Sequence, residues 1–158
     1  MTVEDAVSMG LGLGSNGDLI TTPECCDWVL ICKYPKVHIY MNVNSIFGSP
    51  RTFAYKYHFL NDDVCREFQK LQELSKAPKY VIEIKRYNSD FTSYTTRAAA
   101  YLDSRNQLIS VKDVNHSSNI APNSLDSVEA QWAKPLYAEG EDFIPYLKET
   151  MSKYFATH

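Results

Sequence analysis

Hydrophobic and polar positions alternate with a period of two along much of this chain, and with a period of three to four in its helical stretches. The sharpest case is Thr52-Phe53-Ala54-Tyr55-Lys56-Tyr57-His58-Phe59, where an aromatic ring stands at every second position. Successive side chains of a strand point to opposite faces, so Phe53, Tyr55, Tyr57 and Phe59 form one stripe. Thr52, Ala54, Lys56 and His58 form the other face. Val37-His38-Ile39-Tyr40-Met41-Asn42-Val43 alternates in the same way, with Val37, Ile39, Met41 and Val43 inward and His38, Tyr40 and Asn42 outward. Trp28 to Cys32 is a short apolar run of the kind a buried strand shows, closed by Tyr34-Pro35. The three segments predict an antiparallel meander.

The period then changes. Asn61-Asp62-Asp63 supplies a helix cap and first-turn carboxylates. Val64, Cys65, Phe68, Leu71 and Leu74 follow at helical spacing, with Pro78 as the stop. Tyr80 to Tyr87 resumes a strand, with Tyr80, Ile82 and Ile84 on one face and Val81, Glu83 and Lys85 on the other. Thr92 to Leu102 reads as a strand despite its alanines, and Gln107 to Val114 returns after the tight turn at 103–106. Residues 115–124 are expected as an irregular loop. A short helix is expected over 125–134, ended by Pro135, and a firm one over 143–154 with Phe143, Ile144, Leu147, Met151 and Tyr154 as its apolar stripe. The fold class is therefore α+β. It has an antiparallel sheet of about six strands, in the order β-β-β-α-β-β-β-α-α, with helices packed on one face. Residues 1–23 carry four of the six glycines and no clear periodicity. They are expected as a flexible N-terminal arm before a single domain over 24–158.

Composition narrows the function classes. With 158 residues, 44% hydrophobic and 22% charged, the chain has enough apolar material for a core without disulfides or metal. A formal net charge of −3, with 16 basic residues scattered along the chain, disfavours nucleic acid as the main partner. No window approaches the roughly 18 consecutive apolar residues of a membrane span. Met1-Thr2-Val3-Glu4-Asp5 lacks the basic and apolar regions of a secretory signal, so no membrane partner and a cytoplasmic location are expected.

Candidate chemistry is sparse. Gly12, Gly14 and Gly17 satisfy G-x-G-x-x-G, but no strand leads into them and no helix opens on the last, so no dinucleotide or other cofactor is expected. Cys25, Cys26, Cys32 and His38 offer zinc-ligand atoms at the wrong spacing, and no metal site is expected. Glu139, Glu141 and Asp142 suit a helix start. If the aromatic stripe is core, His38 and His58 share the open face with Tyr40 and Lys56, where an imidazole pair suits acid–base work. His116-Ser117-Ser118 resembles one half of the paired motif of the two-histidine phosphoesterases. There, two strands each carry histidine, any residue, then Thr or Ser. The other half would be His38-Ile39-Tyr40, where tyrosine replaces the hydroxyl residue.

The favoured expectation is a small non-catalytic binding or adaptor protein that holds a protein partner or small ligand on a sheet face or in a groove between sheet and helices. Tyr40, Tyr55, Lys56 and Tyr57 are the expected contacts. A histidine-dependent hydrolase of phosphodiesterase type, using His38, His58 or His116, is the alternative. A small-molecule-sequestering protein with an aromatic-lined pocket is the third class.

Overall fold

The computed structural model describes residues 1–22, 24, 26–47 and 49–158. Its centre is a six-stranded antiparallel sheet built from β3 (Trp28–Lys33), β4 (Val37–Asn42), β5 (Thr52–Phe59), β6 (Tyr80–Tyr87), β7 (Ser93–Leu102) and β8 (Leu108–Asn119). The strands lie side by side in sequence order. α2 (Asp62–Leu71), α3 (Leu125–Glu139) and α4 (Phe143–Phe155) belong to one face. The α+β class and the strand order agree with the sequence reading. Among the described residues, no helix is long and apolar enough to cross a membrane.

Register decides which side of β5 is buried. Val37 pairs with Phe59, Ile39 with Tyr57 and Met41 with Tyr55. Cross-strand partners share a face, so the aliphatic and aromatic stripes merge into one apolar surface. Phe53 and Tyr55 are fully buried there with Ile39 and Met41, under Ala130, Ala133 and Leu136 of α3 and Phe143, Leu147 and Met151 of α4. At the other end Phe59 stacks on Phe68 of α2, ring centroids 4.7 Å apart, above Val81, Ala99 and Tyr101. Alanines 98–100 sit mid-strand because both faces of β7 are covered there and small side chains let the layers approach. Packing overrides their helical preference.

Several boundaries depart from the sequence reading. β8 runs on to Asn119, so His116 lies in a strand opposite Thr96 rather than in a loop. This is an edge strand, whose outer side water can solvate, so the polar run Asn115–Asn119 gives no apolar alternation. The Thr95 and Ser117 hydroxyls join across it at 2.8 Å. α2 ends at Leu71, because Glu73 takes a positive φ of 53° well before Pro78. α3 passes through Pro135, forgoing one backbone bond, because Ala133 and Leu136 on either side are fully buried. It stops at Gly140, whose φ of 68° suits a residue without Cβ.

The segment expected as a flexible arm is instead seated on the second face of the sheet. α1 (Val3–Ser8) opens with a Thr2–Asp5 capping box, and β1 (Leu11–Leu13) pairs with β2 (Leu19–Thr21) as a separate hairpin. Gly12 and Gly14 serve this hairpin, which no nucleotide-binding helix follows. Met9 and Leu11 pack with Ala54, Ile82, Ile84, Ala98, Ala100 and Leu102. Two polar contacts pin the segment. Asn42 Nδ2 donates to the Ser8 carbonyl at 2.8 Å, and Arg97 Nε lies 3.2 Å from Asp5 Oδ2. Two apolar side chains in a glycine-rich stretch suffice because the sheet supplies a complementary surface that the local sequence cannot show.

Candidate functional site

Polar chemistry collects where it was not sought, on the helical face. Lys85 follows Val81 and Glu83 along β6 and shares its face with Tyr55 and Phe53. Its side chain is 4% exposed, and its ammonium donates to Glu129 Oε1 at 2.7 Å and approaches Asp126 Oδ1 at 3.4 Å. Glu129 is 1% exposed; its other oxygen accepts from the Tyr57 hydroxyl at 2.5 Å. Tyr94 donates to Asp126 Oδ2 at 3.0 Å, and the Tyr55 and Tyr87 hydroxyls meet at 2.7 Å. The ammonium also lies 4.5 Å from the centre of the Tyr94 ring, with Tyr55 and Tyr57 within 5.6 Å. Carboxylate and ring faces together form a cation cage. α3 builds half of it: Ser124 caps the helix by accepting from Ser127 N–H, and Asp126 and Glu129, one turn apart, project towards the sheet.

Burial alone would depress Lys85, but the Glu129 and Glu83 charges and the hydrogen bond it donates to Glu129 outweigh it and hold the ammonium well above its usual range. Burial pushes Glu129 upward, and Lys85 and Tyr57 oppose that rise. At 2.7 Å the two have the geometry of an ion pair. Tyr57 is raised well above the ordinary phenol range, first by burial and then by the Glu129 and Glu83 charges.

Beside this network, between α2 and the start of α3, lies a cavity of about 420 Å³. Phe59, Phe68, Tyr57 and Tyr101 give it aromatic walls, and Glu83, Lys85 and Glu129 lie along its polar side. Glu83 differs from its neighbours. It is half-buried, and among the described residues it makes no hydrogen bond or ion-pair contact. Burial pushes its carboxyl above the ordinary range, Lys85 pulls it part of the way back, and Asp126 adds to the rise. Its neighbour on β7 is Ala99, whose side chain carries no group that could pair with it. A larger opening of about 510 Å³ runs along the β3 edge beside Trp132 and Phe155, but no carboxylate lines it.

The histidines divide. His38 and His58 pair across β4 and β5 on the second face, rings 6.2 Å apart and edge-on. His58 stacks on Tyr80. Burial first, then neighbouring lysines, lowers both below the usual imidazole value, so both are neutral at pH 7. Tyr40 and Lys56 share this face, where the Lys56 ammonium donates to Asn106 Oδ1 at 3.1 Å and covers the Tyr80 ring. His116 is exposed on β8, with two strands between it and β5, hence roughly 14 Å or more away at the usual strand spacing. The three histidines do not meet in one site. Of the expected contacts, Tyr57 lines the cavity, Tyr55 is sealed in the core, and Tyr40 and Lys56 lie on the opposite face.

Cys25 lies outside the described residues. Among those described, no group of three or more His, Cys, Asp or Glu side chains is placed to hold a metal ion. The sequence reading missed Glu83, Lys85, Tyr94, Asp126 and Glu129. One signal was available: if Tyr80, Ile82 and Ile84 cover one face of β6, Glu83 and Lys85 must stand on the other with the aromatic stripe. The chain matches no protein-family model, no curated protein and no solved structure.

Proposed function

We propose that this chain is a non-catalytic binding protein that holds a small ligand in the groove between α2 and α3 on the helical face of its sheet. The observation that carries this reading is the cavity of about 420 Å³ whose wall includes a half-buried carboxylate, Glu83, that makes no hydrogen bond or ion-pair contact among the described residues. Small-molecule sites are typically concave, some 300–1,000 Å³ in volume, mostly apolar, with a few placed polar groups. Aromatic walls and an ordered ionic network beside them fit that pattern. The network is held by helix α3 and strand β6 rather than by loops, so its polar atoms are positioned before any ligand arrives.

Thermal unfolding against a panel of small aromatic compounds, cationic, neutral and anionic, tests the reading. A ligand that binds only the folded state raises the transition temperature. Gln72 lines the cavity just beyond α2, and Gln72→Trp should fill its mouth without touching the ionic network. At least one chemical series should stabilise the native protein and leave Gln72→Trp unmoved. A panel that stabilises neither protein, or both equally, would overturn the proposal.

A further inference from the structure

We infer that the ligand is an organic cation: a protonated amine anchored on Glu83, with its apolar body lying among Tyr57, Tyr101 and Phe68. This rests on the groove being a ligand site, and it adds the charge and the anchor. Three carboxylates, Glu83, Asp126 and Glu129, border the cavity against one ammonium, that of Lys85. Lys85 makes its close contacts with Glu129 and Asp126, and Glu83 feels that ammonium only at longer range, so Glu83 is the carboxylate left without a cation in contact. Lys112, across Ala99 from Glu83 in the sheet, donates its ammonium to the Gln72 carbonyl and covers the Tyr101 ring. That contact satisfies a backbone oxygen just beyond the end of α2, so Lys112 is held at the rim.

The protein itself shows what such a site does with an ammonium. Lys85 sits against two carboxylates and three tyrosine rings. Around Glu83 the same ingredients recur without a cation in contact. Tyr57 and Tyr101 are close enough for the Glu83 charge to raise both phenols, in each case after the larger effect of burial. A carboxylate in an aromatic-walled recess discriminates by charge. It gains a charge-assisted hydrogen bond from an ammonium, gains less from an alcohol, and repels an anion. Ring faces add a cation–π attraction that neutral ligands of the same shape lack.

Phenethylamine, 2-phenylethanol and phenylacetate have nearly the same shape and differ in charge. Their dissociation constants for the native protein, Glu83→Gln and Gln72→Trp should be measured by calorimetry or NMR titration at pH 7. The amine should bind the native protein tightest and phenylacetate weakest. Glu83→Gln should lose about tenfold or more for the amine, the scale of one hydrogen bond to a charged group, and change little for the alcohol. Gln72→Trp should weaken all three. If the alcohol binds and is blocked by Gln72→Trp, but the amine binds no tighter or ignores Glu83→Gln, the cation assignment fails and the groove reading stands. If none of the three binds the native protein, both fall together.

Discussion

Replacing Glu129 with glutamine keeps the side chain's size and removes its charge, leaving the Lys85 ammonium buried with Asp126 in contact and Glu83 at longer range. Breaking a buried pair by removing one partner costs about 3–5 kcal/mol, because the surviving charge has lost both water and its counter-ion. Asp126, at 3.4 Å and with its side chain 29% exposed, keeps part of the compensation. The lower end, about 3 kcal/mol, is therefore expected, or roughly 6–12 °C in transition temperature for a chain of this size. Lys85→Met, by contrast, strands Glu129 and Asp126 together. Their effects should differ with pH. In Glu129→Gln the stranded ammonium is destabilised, so its folded pKa falls below the unfolded value and stability rises as pH rises. In Lys85→Met the stranded carboxyl is raised in the folded state. It binds protons before the unfolded chain does, and stability rises as pH falls. The double variant removes both charges and should recover most of the loss. Urea unfolding of the four proteins at pH 5, 7 and 9 measures all of this. If Glu129→Gln lies within about 0.5 kcal/mol of the native protein, or if the double variant loses the sum of the singles, the pair is not coupled as its geometry requires.

Two further outcomes follow from burial. Deleting residues 1–22 uncovers the second face and removes Met9 and Leu11, each worth roughly 1.5–3 kcal/mol when fully buried, so urea unfolding should show a loss of several kcal/mol. An unchanged midpoint would mean the segment is not docked in solution. Glu83→Gln should stabilise the protein at pH 7. A carboxyl raised by burial weakens the fold above its unfolded pKa, so the gain should shrink as pH falls towards about 4.3. A loss of stability at pH 7 would show that Glu83 has a partner in solution.

The sheet was largely legible because period-two patterning at β4 and β5 leaves one sensible register. Pairing Met41 with Tyr55 buries both stripes, and a slip of one residue would put His38 and Tyr40 on the face of the aromatic stripe instead. The site was not legible. Lys85 and Glu129 are 44 residues apart, on elements that each read as ordinary, and nothing local announces that a helix will bring a carboxylate under a strand lysine. Polar residues on a face otherwise read as core were the available clue. The strand at His116 was not legible either, because its polar run reads as a loop and belongs instead to an edge strand facing water. The N-terminal segment was misjudged because glycine content speaks for its own entropy and says nothing of the surface waiting to receive it.

The strand order has a kinetic consequence. Each strand of the large sheet pairs with its sequence neighbour, so the sheet can assemble by successive short closures. The one long connection, residues 60–79, contains a helix that shortens it. Loop-closure entropy grows slowly with length, and topologies rich in sequence-local pairings fold faster than those needing distant strands. During synthesis all six strands emerge before α3 and α4, so the sheet can form while Phe53 and Tyr55 still lack their cover. A chain halted near residue 120 would then present a broad aromatic surface shielded by α2 at the Phe59 end alone, which makes this interval the one in which a nascent-chain chaperone matters most.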